Sequence, residues 1–138
     1  MTVDEQFGKL DGLRVLVVED MAVLAWQVRD VLAAAGADVA GPVPSVARAL
    51  ALLAEQEVDF AVLDKNLDGD PADPIADVLA AHDVPFVFLT GYGAYDTEGR
   101  HGARPHLGKP LRPTALVQAV ADLTADRIRT GARHQAAH

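Results

Sequence analysis

Four short apolar runs of this sequence end in polar groups whose chemistry is complementary. Each group follows its own run: Asp64 after residues 58–63, Glu19 and Asp20 after residues 13–18, Thr90 after residues 85–89, and Lys109 after a short stretch near Leu107. Three carboxylates in one pocket repel one another unless a cation neutralises them. Mg²⁺, a cation that prefers oxygen ligands, suits such a set in a site that handles phosphate. A lysine ammonium and a threonine hydroxyl can both contact a phosphoryl oxygen, so the set predicts Mg²⁺ and a phosphoryl group.

These groups meet only if the runs before them are parallel strands of one sheet. Short apolar runs bounded by Gly, Pro or Asp are typical of strands buried on both faces, and we predict strands at residues 14–18, 38–41, 60–63, 86–89 and 106–108. Their alternation with helices predicts an α/β fold, a doubly wound five-stranded parallel sheet of flavodoxin-like type with strand order 2-1-3-4-5. In that order the first and third strands are neighbours, which would place Glu19 and Asp20 beside Asp64.

Helical patterns fill the connections between the predicted strands. We predict helices at residues 21–35, 45–55, 75–82 and 114–128. Asp20 is placed to cap the first of these helices, and Ser45 is placed to cap the second. Residues 91–102 contain four glycines, and each glycine costs a helix about 1 kcal/mol relative to alanine. The fourth helix of the fold, which falls there, is therefore predicted to be short or mobile.

Composition limits the class of protein. The chain has 138 residues, enough for one domain, and we predict an N-terminal extension at 1–12, the domain at 13–126 and a C-terminal tail at 127–138. The absence of cysteine excludes disulfides, thiolate zinc sites and cysteine nucleophiles. A net charge of −8 disfavours binding to nucleic acid and to anionic membranes. With no signal-peptide pattern and no apolar stretch near the roughly 20 residues of a membrane span, a cytoplasmic location is predicted.

The segment that begins at Asp64 admits other interpretations. Residues 64–69 match the first half of an EF-hand loop, but Ile75 stands where a bidentate glutamate is required, which rejects that motif. A phosphatase with an aspartate nucleophile usually carries a second acid two residues on, where this chain has Asn66. A hydrolase or a small-ligand-binding protein on a flavodoxin-like scaffold stays open as the alternative function, because fold does not determine function.

The order of these motifs resembles that of receiver domains of two-component response regulators, over about residues 13–126. The resemblance is carried by Val15-Leu16-Val17-Val18-Glu19-Asp20, Ala61-Val62-Leu63-Asp64, Thr90-Gly91 and Lys109-Pro110. It implies that Asp64 accepts a phosphoryl group from a histidine kinase or a phosphotransfer protein. It also implies that Thr90 and Lys109 contact that group. The implied Mg²⁺ ligands are Glu19, Asp20, Asp64 and the main-chain carbonyl of Asn66.

The resemblance extends to the kind of signalling protein. Residues 85–93 (Pro-Phe-Val-Phe-Leu-Thr-Gly-Tyr-Gly) are similar to the Phe-Ala-Thr-Gly-type subfamily of stand-alone receivers, with Leu89 in place of alanine. This implies signalling by protein contact, as a phosphorelay intermediate, a phosphate sink or a switch. The only catalysis implied is the chain's own aspartyl phosphorylation and dephosphorylation. The implied partners are the phosphodonor protein and an unknown downstream protein; phosphorylation-dependent dimerisation stays open, as does origin from a longer hybrid kinase.

Several positions depart from the common receiver pattern. His106 stands three residues before the lysine, where an aromatic switch residue is expected. A rotamer switch gated by Thr90 would then need Tyr92 or Tyr95. Lys65 directly follows the implied phosphoacceptor, and its ammonium either lies over the rim of the pocket or points to solvent; solvent is the preferred prediction. Pro110, directly after Lys109, is a candidate for a cis peptide bond.

Overall fold

The main sheet has the strand order that the sequence predicts. The computed structural model describes residues 8–91 and 101–125. Its strands are β1 (Arg14–Val18), β2 (Asp38–Val43), β3 (Phe60–Asp64), β4 (Asn66–Leu67), β5 (Asp70–Pro71), β6 (Phe86–Thr90) and β7 (His106–Gly108). Five of them form one parallel sheet in the order β2-β1-β3-β6-β7, which is 2-1-3-4-5 when only these five are counted. The doubly wound, flavodoxin-like α/β fold is therefore confirmed.

Helices connect the strands near the predicted positions. Within the described ranges they are α1 (Ala22–Ala34), α2 (Val46–Glu55), α3 (Asp73–Ala81) and α4 (Pro113–Leu123). Ser45 caps α2 as predicted, because its Oγ accepts a hydrogen bond from the N–H of Arg48 at 3.2 Å. The prediction that Asp20 caps α1 is wrong, since the N-cap residue is Met21 and no side chain caps this helix. The N–H of Met21 instead donates to the Glu19 carboxylate at 3.1 Å.

Apolar side chains are buried on both faces of the sheet. Leu16, Leu63 and Phe88 belong to the cluster under α2 and α3, whereas Val17 and Val62 belong to the cluster under α1 and α4. Successive residues of a strand point to opposite faces, so each strand contributes to both clusters. All residues of β3 and β6 are buried. This explains why both strands are almost uninterrupted apolar runs, and it makes them a firm base for the polar residues at their ends.

A small hairpin directly after β3 was not predicted. β4 and β5 pair antiparallel with two residues each. The turn between them uses left-handed backbone at Asp68 (φ 52°) and Gly69 (φ 91°), and the N–H of Gly69 donates to the side-chain oxygen of Asn66 at 3.0 Å. Strands of two residues are too short to produce a recognisable period-2 pattern, so no sequence pattern indicates them.

Some predictions concern residues outside the described ranges. The short or mobile fourth helix was expected at 91–102, of which residues 92–100 are not described. The end of the predicted helix at 114–128 and the tail at 127–138 also lie beyond residue 125. In the part of the chain that is described, no helix has the length and apolar character of a membrane span.

The chain packs against the core before β1 begins. Leu10 is completely buried and belongs to the same cluster as Val17 and Val62. Its N–H donates to the carbonyl of Ala35 at 2.8 Å, at the end of α1. These contacts join Leu10 to the folded domain, while the boundary at residue 13 stays a prediction.

The contribution of Leu10 can be measured by mutation. We expect Leu10→Ala to lower the free energy of unfolding by about 2–5 kcal/mol, because it removes buried methyl groups and leaves a cavity. Lys9→Ala, which changes the exposed neighbour, should stay within about 0.5 kcal/mol of the wild type. Urea unfolding followed by circular dichroism gives both values. Equal stability of the two variants would show that the segment before β1 is not part of the core.

Candidate functional site

The carboxyl ends of four strands bring the predicted polar groups to one edge of the sheet. Asp64 is the last residue of β3 and Thr90 is the last residue of β6. Glu19 and Asp20 follow β1, which lies beside β3. The N–H of Lys109 donates to the carbonyl of Thr90 at 2.9 Å, which extends the contact between β6 and β7 up to the lysine. The edge is the one at which open parallel sheets bind ligands.

Glu19, Asp20 and Asp64 form a compact cluster of carboxylates. Each offers an oxygen atom, and these atoms all lie within 4.8 Å of one another. Glu19 is 2% exposed and Asp64 is 5% exposed, whereas Asp20 is partly exposed. Like charges this close and this well buried need a cation to stabilise them. The donor set, made of carboxylate oxygens alone, fits a hard divalent cation such as Mg²⁺.

Lys109 supplies a positive charge to this cluster. Its Nζ lies 3.2 Å from Asp64 Oδ2 and 3.4 Å from Glu19 Oε1. Burial by itself would lower the pKa of Lys109, but the negative charges of Glu19 and Asp64 and the hydrogen bond to Asp64 outweigh burial and raise that pKa above its usual value. The lysine therefore remains charged at neutral pH.

Glu19 is the carboxyl group whose charge is most disfavoured. Its pKa is raised from 4.5 to about 8, mainly by burial and next by the neighbouring carboxyl of Asp64, while the N–H of Met21 acts in the opposite direction. Its Oε1 is buried and accepts no hydrogen bond from the described residues, although Lys109 is at ion-pair distance. A buried oxygen without a donor is a ready ligand for a cation.

The two oxygens of Asp64 have different partners. Oδ1 accepts a hydrogen bond from the N–H of Asn66 at 3.1 Å, and Oδ2 accepts one from Lys109.

Thr90 is buried, and it ends the strand that lies between the strands leading to Asp64 and to Lys109. The peptide bond between Lys109 and Pro110 is cis.

Lys65 does not point to solvent, and the preferred prediction for it is wrong. Its Nζ lies 3.1 Å from Nε2 of His106, and it also lies 5.6 Å from the centre of the Phe88 ring. The sequence could not show this contact, because the two residues are 41 positions apart and meet only through the strand order. Tyr92 and Tyr95, the other predicted switch residues, lie outside the described residues.

An apolar patch that the sequence analysis did not identify borders the carboxylates. Met21, Val23 and Trp26 are 58%, 71% and 52% exposed at the start of α1. The guanidinium of Arg29 lies 4.1 Å from the centre of the Trp26 ring. Trp26 and Arg29 line a groove of about 360 Å³ together with the acidic pair after β1. The signal was present in the sequence, since the three apolar residues of this patch fall outside the helical spacing of Val28, Leu32 and Ala35, which are buried.

The raised pKa of Glu19 predicts how stability depends on pH without metal. Between about pH 4.5 and pH 8 the folded chain binds one more proton at Glu19 than the unfolded chain does. The stabilisation is therefore complete below pH 4.5 and is lost as the pH rises through about 8. The free energy of unfolding in EDTA should fall with a slope of at most about 1.4 kcal/mol per pH unit from this group.

Glu19→Gln is the matched control, because it removes this titration and leaves the histidines in place. The free energy of unfolding in urea is measured for the wild type and the variant from pH 5 to pH 9. The difference between the two plots of this free energy against pH isolates the contribution of Glu19. Parallel curves for the wild type and the variant would contradict the raised pKa.

Comparison with known proteins gives one family. The model of the response regulator receiver domain matches residues 15–121. The solution structure of SdrG from Sphingomonas melonis Fr1 is 35% identical, with 83% of this chain and 97% of that chain covered and a TM-score of 0.67. The BeF3-activated conformation of SdrG, from Pseudomonas melonis Fr1, is 37% identical over 82% of this chain and 97% of that one, also with a TM-score of 0.67.

More distant structures agree in fold. The receiver domain of the PhyR response regulator from Erythrobacter litoralis has a TM-score of 0.72 at 24% identity, with 82% of this chain and 90% of that chain covered. No curated protein matches this chain. The family match covers more than half of the sequence, and the likeness to SdrG spans nearly that whole protein. The chain therefore belongs to the receiver domain family of two-component response regulators.

Proposed function

We propose that this receiver domain takes a phosphoryl group onto Asp64 from a histidine kinase or a phosphotransfer protein, in a Mg²⁺-dependent reaction. The observation that carries the proposal is the placement of the Asp64 carboxylate. One of its oxygens lies 3.2 Å from the ammonium of Lys109, and the group also belongs to a cluster of three carboxylates at the carboxyl edge of the sheet. A nucleophile beside a cation and beside a set of metal ligands suits phosphoryl transfer.

The chemistry of Asp64, Lys109 and Thr90 accounts for each part of the proposed phosphoryl transfer. A carboxylate oxygen of Asp64 attacks the phosphorus of a phosphohistidine, and an O–P bond forms as the N–P bond breaks. The electron pair of the broken bond stays on the imidazole nitrogen of the donor. Lys109 offsets the negative charge of the transferring group, and the hydroxyl of Thr90 is the neutral donor on the same edge. Catalysis here consists of position and charge, and it is limited to the chain's own phosphorylation and dephosphorylation.

The metal would be held by residues that otherwise repel one another. Its ligands are Glu19, Asp20, Asp64 and the main-chain carbonyl of Asn66. When bound, Mg²⁺ supplies positive charge that neutralises the phosphoryl oxygens. The buried Oε1 of Glu19, which accepts no hydrogen bond from the part of the chain that is described, supports this assignment. Because the pKa of Glu19 lies near 8, metal binding at neutral pH is accompanied by release of its proton.

The patch of Met21, Val23 and Trp26 supports a protein as the phosphodonor. Exposed apolar side chains that border a site mark places where another protein docks. A helical donor that covers this patch would bring its phosphohistidine to the acidic groove. We assign the patch to the phosphodonor protein on this basis.

The readout is proposed to be protein contact by a cytoplasmic domain that spans residues 13–126 and acts as a stand-alone receiver. Likeness to SdrG, whose BeF3-activated conformation is known, makes beryllofluoride a suitable stable substitute for the phosphoryl group. Thr90, His106, Tyr92 and Tyr95 are the residues through which the state of Asp64 would reach a downstream protein. Dimerisation on phosphorylation is a further outcome that size-exclusion chromatography with beryllofluoride can detect.

The first test removes the nucleophile. Asp64→Asn should abolish Mg²⁺-dependent transfer of ³²P from an autophosphorylated histidine kinase, because an amide cannot replace the carboxylate. Asp68→Asn makes the same chemical change at an exposed turn residue and should label at the wild-type rate. Undiminished labelling of the Asp64 variant would overturn the assignment. Steady turnover of a generic phosphomonoester, dependent on the same carboxylates, would instead support a hydrolase.

The second test separates docking from chemistry. Trp26→Ala should lower kcat/KM for transfer from the kinase by about tenfold or more, since exposed tryptophans at interfaces contribute strongly to binding. Labelling by phosphoramidate, a small donor that needs no docking surface, should stay within about twofold. Gln56→Ala, at an exposed position after α2, serves as the control for both reactions. Equal losses with both donors would mean that Trp26 acts on the pocket itself.

A further inference from the structure

Lys65 and His106 make a contact that crosses the sheet beside the phosphoacceptor. Lys65 is the first residue after β3, and its N–H donates to the carbonyl of Leu89 at 3.0 Å, so its backbone is fixed against β6. Its Nζ reaches Nε2 of His106, on β7, at 3.1 Å. Because β6 lies between β3 and β7, this contact spans three strands and passes over Phe88.

The direction of each hydrogen bond follows from the partners of His106. Its Nδ1 lies 2.6 Å from the carbonyl oxygen of Arg104, which can only accept, so Nδ1 carries a proton and donates. A lysine ammonium has three donors and no acceptor. Nε2 therefore accepts from Lys65, and the imidazole is the neutral tautomer with its proton on Nδ1. The ring is held further by contact with Phe88, at 5.0 Å between ring centres.

The contact lies on the strand that leads to Lys109. His106 pairs with Phe88 and Gly108 pairs with Thr90, and Lys109 follows directly. β7 has only three residues and lies at the edge of the sheet, so few backbone hydrogen bonds hold it. The hydrogen bond from Lys65, at the end of β3, to His106 on this strand therefore influences where Lys109 lies relative to the carboxylate of Asp64.

We propose that Lys65 and His106 are positioning residues for phosphoryl transfer. Their hydrogen bond ties β7 to the end of β3 and holds the ammonium of Lys109 at Asp64. The proposal rests on the proposed function, because it concerns the rate of Asp64 phosphorylation. Neither residue contacts the phosphoryl group in this role.

A double-mutant cycle tests the role. Lys65→Met removes the donor at similar length, and His106→Phe removes the acceptor but keeps a ring over Phe88. Each should slow phosphorylation by phosphoramidate at saturating Mg²⁺ by about tenfold, since small displacements of a positioned group cost that much or more. The double variant should be no slower than the slower single variant, because both changes break one interaction. Lys9→Met, at an exposed lysine, should match the wild type within about twofold.

Two further measurements separate positioning from loss of fold. Urea-unfolding midpoints of the variants show whether each remains folded under the assay conditions. Nitrogen-15 spectra of the histidine rings at about pH 8.5, above the ordinary histidine range, should show His106 protonated on Nδ1. Lys65→Met should displace its Nε2 resonance, which Lys9→Met should not do.

The outcomes distinguish the two proposals. If the wild type is labelled on Asp64 but the single variants react within twofold of it, or if their effects multiply in the double variant, the positioning role is overturned alone. An Nε2 resonance that Lys65→Met leaves in place also overturns it. If the wild type takes no label, the proposed function fails and the positioning role fails with it.

Discussion

Repulsion among three carboxylates is the constraint on which the site depends. Glu19, Asp20 and Asp64 converge within 4.8 Å, two of them almost completely buried. Only one described ammonium, that of Lys109, is seen at ion-pair distance from both buried acids. One positive charge against three ionised acids would leave an excess of negative charge. Burial first and the neighbouring carboxyl of Asp64 next raise the pKa of Glu19, so its charged form is disfavoured without a cation. A divalent cation would restore the balance, and together with Lys109 it would offset the negative charge of an incoming phosphoryl group.

The fold is what forces these acids together. Burial of β3 and β6 on both faces fixes their backbones, and the order β2-β1-β3-β6-β7 sets the end of β1 beside the end of β3. Lys109 follows the edge strand β7. Thr90 is the last residue of β6, which lies between β3 and β7. If Asp64 is the phosphoacceptor that we propose, a carboxylate held this way would need little rearrangement when a phosphoryl group approaches, and preorganisation of this kind is the larger part of catalysis in phosphoryl transfer.

The positions of site residues at the ends of strands could be predicted from the sequence. Asp64, Thr90 and Lys109 each close or follow a short apolar run, and the alternation of runs and helices was enough to predict the order of the strands. Prediction from the sequence failed where a contact depends on side-chain reach or on very short elements. Asp20 does not cap α1, because Met21 is the N-cap residue and Asp20 lies one position before it. The hairpin of β4 and β5 is too short to leave a pattern, and the partner of Lys65 lies 41 residues away.

Chemical trapping of the phosphorylated residue is the sharpest test of Asp64 as the phosphoacceptor. Borohydride reduces an acyl phosphate of aspartate to homoserine, and tandem mass spectrometry locates the reduced residue in the chain. After reaction with phosphoramidate and Mg²⁺, phosphorylation of Asp64 predicts homoserine at position 64 and none there when EDTA replaces Mg²⁺. Reduction at another aspartate, or equal reduction at position 64 in EDTA, would contradict it.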